Sequence, residues 1–162
     1  MPLRLVPIDR SLLDAHRRSE AELQARLGGD IGPAAEVLGP VLEQVITLIE
    51  ARPRAPEWGC FLAIDVAGRR LVGTCGFKDG PGADGSVELA YFTFPPYEGR
   101  GHATAMASEL RARACDRPVI AHTLPERNAS CRVLEKAGFI HIGTFDDPED
   151  GPVWRWRAEG RG

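Results

Sequence analysis

The stretch from Val87 to Thr123 constrains the fold more than any other part of the chain. An apolar run, Val87 to Phe94, ends in the pair Pro95-Pro96. Tyr97-Glu98-Gly99-Arg100-Gly101 follows, and a helical pattern runs from Gly101 to about Ala114. A short β-branched piece, Val119 to Thr123, comes after Pro118. Strand, helix, strand in that order makes the two strands parallel neighbours, because a parallel pair needs a long crossover. The glycine turn then sits at the C-terminal end of the first strand, where open α/β sheets tend to bind ligands.

Gly99 and Gly101 bracket one arginine, and the absent Cβ atoms let the backbone approach a ligand closely. The first N–H groups of the next helix have no intrahelical partner and point out of its end. That end attracts phosphate oxygens. The expectation is a phosphate or pyrophosphate cradle. A glycine-rich connection with no ligand uses the same residues, so the turn alone leaves both open.

Around this crossover the pattern is mixed. Leu3 to Pro7 reads as a strand. Asp9 or Ser11 can cap a helix that begins near Leu12 and ends at Gly28-Gly29. A second helix, from Pro33 or Ala34 to Ala51, carries apolar residues at three- and four-residue steps. Gly39-Pro40 predicts a kink or a break in it. Pro53 to Pro56 is a linker. Trp58 to Val66, Arg70 to Phe77 and Val87 to Phe94, separated by glycine-rich turns, form an antiparallel meander. Arg127 to Lys136 is a helix with Gly138 as its left-handed terminator. Phe139 to Phe145 and Val153 to Arg157 form a final hairpin. Trp154, Trp156 and Phe145 are assigned to its packing face, Arg155 and Arg157 to the other.

The sum is one α+β domain over residues 1–162, with a mixed sheet of six or seven strands. Its net charge of −3 carries no electrostatic footprint for nucleic acid or an anionic membrane. No apolar stretch reaches the length of a membrane span. Cys60, Cys75, Cys115 and Cys131 stand far apart with no C-x-x-C pair. They read as reduced thiols in a cytoplasmic protein, with no metal site.

Two segments together carry a resemblance. They are Glu88-Leu89-Ala90-Tyr91 through Gly99-Arg100-Gly101-His102-Ala103-Thr104-Ala105, and Ala121-His122-Thr123 through Asn128-Ala129-Ser130-Cys131-Arg132-Val133-Leu134-Glu135-Lys136-Ala137-Gly138-Phe139. In order and spacing they resemble motifs A and B of the GCN5-related N-acetyltransferases, in the branch of ribosomal-protein-alanine acetyltransferases. The resemblance covers nearly the whole chain, more loosely at the N-terminal helices. It implies a mostly antiparallel sheet with a splayed parallel pair, flanked by helices. It also implies acetyl-coenzyme A as cosubstrate. Its pyrophosphate would lie on the backbone of Gly99, Arg100, Gly101, His102, Ala103 and Thr104, and its pantetheine along Phe92, Thr93 and Phe94.

Two positions depart from the family pattern. Glu98 stands where the family has Gln or Arg, so its side chain is expected in solvent, with backbone amides doing the binding. Arg127 stands at the usual asparagine of motif B, and Asn128 follows one step later. Asn128 either contacts the pantetheine amides or caps the helix.

Acetyl transfer to an amine needs a base for the amine proton, a donor for the carbonyl oxygen and an acid for the leaving thiolate. Glu88, a carboxylate inside an apolar strand, is the first base candidate, though strand alternation also fits a surface residue. His122 at the end of the next strand is the second. Ser130 is the family-consistent acid, unless its hydroxyl caps the helix. An N–H freed by a bulge near Phe92 would hold the oxyanion. His102 is expected to contribute backbone, and Tyr91 and Tyr97 either line the acceptor channel or pack. The acceptor is a protein or peptide N-terminus or a small amine, bound between the N-terminal helices and the final hairpin. The open hairpin edge is compatible with a homodimer. A non-catalytic acyl-coenzyme A sensor would keep the cradle and lose the chemistry.

Overall fold

The computed structural model describes residues 2–160. Seven strands form one sheet in the order β1-β2-β3-β4-β5-β7-β6. These are β1 (Leu3–Pro7), β2 (Cys60–Asp65), β3 (Arg70–Phe77), β4 (Val87–Thr93), β5 (Val119–Thr123), β6 (Ile140–Asp147) and β7 (Gly151–Ala158). Every neighbouring pair is antiparallel except β4 and β5. Helix α4 (His102–Arg113) makes the crossover between them, as the strand–helix–strand order requires.

The parallel pairing is short. Val87 faces Val119 and Glu88 faces Ile120, and there the ladder ends. Both strands run on, so a gap opens between them from Leu89 onward.

The N-terminal helices depart from expectation. The span read as one helix is two, α1 (Arg10–Arg18) and α2 (Glu20–Leu27). Ser19 is extended and serves both. Its N–H bonds to Ala15 O at 3.2 Å, closing α1, and its Oγ accepts from Glu22 N at 3.0 Å, capping α2. A serine that competes for local backbone groups ends one helix and starts another more readily than it continues through both. Asp9, rather than Ser11, caps α1 through Leu12 N at 2.8 Å.

Helix α3 (Ala35–Ala51) runs unbroken through Gly39-Pro40. Leu38 on one side and Leu42 and Ile46 on the other are all buried, so core packing holds both halves in line. Gly39 lets α3 pass His16 of α1, where a Cβ would lie 3.0 Å from Nε2.

Helix α5 (Ala129–Lys136) begins two residues later than the pattern implied, capped by Asn128. Gly138 takes the expected left-handed turn with φ +90°. On the hairpin, Trp156 is buried and its Nε1 donates to Thr123 Oγ1 at 3.0 Å. Phe145 is half-exposed on the other side, under the Arg155 guanidinium at 3.9 Å. The register pairs Phe145 with Val153, which puts it on the Arg155 face rather than the tryptophan face. Helix α4 packs on β3, β4 and α5, while α3 packs with α1. Among the described residues no helix is long and apolar enough to cross a membrane, and the four cysteines are free.

Candidate active site

The glycine turn leaves the start of α4 open. Gly99 and Gly101 both adopt positive φ, +74° and +88°. Gly101 is the N-cap of α4 and gives no side-chain cap. Among the described residues, nothing accepts from the backbone N–H groups of Gly99 to Thr104. A Cβ on Gly99 would meet nothing within 4 Å, so the turn encloses open space. The His102 ring is buried under the loop, edge-on to Tyr97 at 6.4 Å between centroids. Burial lowers its pKa, with the Arg100 charge adding to that and Asp65 opposing it. His102 therefore offers its backbone and keeps its ring inside. Glu98 is exposed, as its charge required.

The cradle continues into a chamber of about 730 Å³. Its walls include Tyr91, Phe92 and Thr93 of β4 and Ser130 and Val133 of α5. Thr93 Oγ1 is buried there without a protein partner. A second chamber of about 680 Å³ lies between α3 and the β3–β4 surface, where Thr74, Gly76 and Ala90 belong to the floor. Glu149 from the β6–β7 turn closes its edge. The two chambers share Tyr91 and Phe92. Tyr91 turns its hydroxyl toward α5, 3.5 Å from Ser130 O.

The ladder register decides which backbone groups face the gap. Phe94 N donates to Val72 O and Lys78 N to Glu88 O, so even-numbered residues of β4 bond to β3. Tyr91 and Thr93 then turn their N–H groups toward β5, which has diverged. No register shift occurs in β4, so the free N–H groups come from the splay and not from a bulge near Phe92. Phe94 also departs from expectation. Its side chain is buried, its N–H goes to Val72 and its C=O accepts from Tyr97 N. Tyr91 takes its place in the wall.

Glu88 and His122 meet where the β4–β5 pairing ends, His122 lying two residues beyond Ile120. His122 Nδ1 lies 3.0 Å from Glu88 Oε2, with the two side chains 12% and 28% exposed. Lys78 Nζ reaches the same oxygen at 2.9 Å. Burial opposes the lysine's charge, but its hydrogen bond and charge interaction with Glu88, aided by Asp150 and Asp147, raise its pKa on balance. Arg155 Nε donates to His122 Nε2 at 2.9 Å. Because that nitrogen accepts, Nδ1 carries the proton and gives it to Glu88. The His122 ring is thus held between Arg155 and Glu88, with its basic nitrogen already engaged. Glu88 Oε1 has no protein partner among the described residues.

Ser130 stands apart from this pair, in the wall of the first chamber. It is not the cap of α5; Asn128 is, with Oδ1 accepting from Cys131 N at 3.1 Å. The Ser130 hydroxyl has no partner among the described residues. Arg127 turns away to Glu135 at 2.6 Å on the surface. Sequence reasoning missed Lys78 and the contact of Arg155 with His122. Lys78 is one of two lysines in the chain, yet nothing in the sequence gives the register that sets it beside Glu88.

Residues 3–140 match the family model for the acetyltransferase (GNAT) domain. The chain belongs to the GNAT acetyltransferase family. No curated protein matches it in sequence. Among solved structures, the ribosomal-protein α-N-acetyltransferase RimL in complex with coenzyme A shares 14% identity over 98% of this chain and 94% of that one, with a TM-score of 0.66. A chimera of the spermidine N-acetyltransferase SpeG from Vibrio cholerae shares 16% over 98% and 96%, with a TM-score of 0.65. The microcin self-immunity acetyltransferase MccE, in complex with acetyl-coenzyme A and AMP, shares 11% over 97% and 92%, with a TM-score of 0.64. At these identities the likeness is one of fold. The GNAT assignment rests on the family model and agrees with the splayed β4–β5 pair. The described residues hold no cluster suited to a metal ion.

Proposed function

We propose that this GNAT protein transfers an acetyl group from acetyl-coenzyme A to a primary amine by direct attack with both substrates bound. The observation that carries this reading is the pair of chambers that meet at Tyr91 and Phe92, one leading to the glycine cradle and the other to α3. The residues present suit the cosubstrate. The N–H groups from Gly99 to Thr104 suit its pyrophosphate, and the buried, unpartnered Thr93 Oγ1 and the splay-facing N–H groups of Tyr91 and Thr93 suit an arm rich in amides. Acetyl-coenzyme A supplies the acyl group as a thioester.

The chain's own groups then position and move protons. As the amine nitrogen bonds to the acetyl carbon and the carbon–sulfur bond breaks, the N–H groups in the gap face the carbonyl oxygen. Glu88 lies three to four residues along β4 from Tyr91 and Phe92, roughly 10–13 Å at strand spacing. Its Oε1 therefore takes the amine proton through water. Ser130, with its hydroxyl unpaired in the cosubstrate chamber, returns a proton to the sulfur.

The four free thiols support a cytoplasmic setting. The open β6 edge, with Ile140 and Ile142 exposed, supports a homodimer, which sedimentation velocity would test.

The deciding experiment combines coenzyme A titration with thiol release from acetyl-coenzyme A across a panel of peptides and amines. Binding plus acceptor-dependent release is the expected result. Binding without release for any acceptor would favour a sensor, and no binding would remove both readings.

A further inference from the structure

The acceptor chamber is mostly hydrocarbon. Val45, Leu48 and Ile49 of α3 face Phe77, Ala90 and Phe92 of the sheet. A polyamine needs carboxylates along its length. Here, among the described residues, the only carboxylate in the lining is Glu149, which is exposed and lies 3.7 Å from Arg52.

The charged end of the chamber is cationic, made by Arg52, Arg54 and Lys78. Lys78 is matched by Glu88 and Arg52 by Glu149. Arg54 has no carboxylate partner among the described residues. It is nevertheless fixed, because two main-chain carbonyls hold it: Nη1 donates to Phe77 O at 2.8 Å and Nε to Arg52 O at 3.0 Å. That leaves Nη2 for an incoming group. A guanidinium held in place with one edge free is a ready partner for an anion.

We infer that the acceptor is a small amine with an apolar body and an anionic group, carboxylate or phosphate, at the end away from its nitrogen. The inference rests on the acetyl-transfer reading above and names its substrate class. The separation of the two ends follows from the register. Phe77, whose carbonyl anchors Arg54, lies opposite Leu89. Tyr91 and Phe92, where the chambers join, are two and three residues farther along β4. At strand spacing the anion and the amine are therefore roughly 7–10 Å apart. Hydrocarbon fills the space between, where Ala90 keeps the floor low. Glu88 does not repel the anion, since Lys78 already matches its charge.

The test measures thiol release with 6-aminohexanoate and 4-(aminomethyl)benzoate against hexylamine, benzylamine, spermidine and an unblocked alanyl peptide. The expected kcat/KM for each acid is at least about tenfold above its uncharged counterpart and above spermidine and the peptide, with the gain in KM. Aminoalkyl phosphates in the same panel distinguish the two anions. In Arg54→Gln the acid-to-neutral ratio falls toward one, and Arg54→Lys restores part of it. A thermal melt confirms that both variants are folded. Ala90→Leu, which raises the floor, weakens all the apolar amines. A wild-type ratio near one, a ratio unchanged in Arg54→Gln, or a preference for spermidine or the peptide overturns the inference and leaves acetyl transfer standing. No release with any amine overturns both.

Discussion

His122 Nδ1 of β5 lies 3.0 Å from Oε2 of Glu88 of β4, with His122 two residues beyond Ile120, where the β4–β5 pairing ends. The contact closes a directed chain: Arg155 donates to His122, His122 donates to Glu88, and Lys78 donates to the same carboxylate oxygen. Two donors thus fix one carboxylate oxygen, with Arg155 behind the first of them, and the other oxygen has no protein partner among the described residues. A carboxylate with both protein bonds on one oxygen is oriented without being used up.

Glu88→Gln keeps the shape of this arrangement and removes its basicity. The expected result is a fall of about 100-fold in kcat, typical of a lost general base. Coenzyme A affinity should stay within about twofold, because Glu88 does not line the cradle chamber. His122→Asn should cost less, about tenfold, since it loosens the carboxylate without removing it. Steady-state kinetics beside a coenzyme A titration would show both. An equal loss from the two variants would make His122 the base after all.

Tyr91 and Ser130 both line the first chamber, and whether their side chains act together is measurable. Burial raises the Tyr91 pKa above 10.0, with the contact to Ser130 opposing the shift and the charge of Cys131 adding to it. The phenol therefore stays protonated at neutral pH. Ser130→Ala is expected to lower kcat about tenfold, and Tyr91→Phe less. Because the two act at one place, the double variant should lose less than the product of the single losses. Fully multiplicative losses would show that they work independently.

Much of this was legible in the sequence, and the reasons differ by element. The crossover and the glycine turn were readable because glycine, proline and apolar period act locally between Val87 and Thr123. The Gly138 turn was readable for the same reason, while for Asn128 the sequence left a cap and a pantetheine contact both open. Ser19 was missed because a cap in mid-pattern looks like a polar face residue until the backbone is seen. Pro40 misled because its local cost is outweighed by Leu38, Leu42 and Ile46 in the core. The partners of Glu88 were invisible because they depend on register. Lys78 directly follows β3, His122 lies in β5 and Arg155 in β7, and no local pattern aligns three strands.

His102 predicts a signature in acid. Burial lowers its pKa in the folded state below the unfolded value of about 6.5. Between those values the unfolded chain binds more protons, so stability rises with pH there. The contribution is complete above about pH 6.5 and is lost as pH falls below it. His102→Leu, an apolar replacement for a ring with an unpartnered Nδ1, should lose less stability between neutral pH and pH 5 than the parent. Urea midpoints at the two pH values would measure the difference, and parallel curves would show that His102 does not contribute.

Gly99→Ala separates the cradle's backbone geometry from its contents. The new Cβ meets nothing within 4 Å of protein, so it causes no clash. It does force alanine to φ +74°, a left-handed conformation that costs roughly 1–2 kcal/mol. For a chain of this size each kcal/mol lowers Tm by about 2–4 °C. That change alone would describe a simple turn. A phosphate cradle predicts a second effect, because the methyl group enters the space where oxygens approach the N–H groups from Gly99 to Thr104. Coenzyme A Kd should then rise about tenfold, or ~1.4 kcal/mol, while dephospho-coenzyme A, which keeps the pyrophosphate, suffers the same loss. Pantetheine, which has no pyrophosphate, should bind the variant and the parent equally. If the Gly99→Ala protein melted a few degrees lower and bound coenzyme A unchanged, the glycines would be serving the turn and not the ligand.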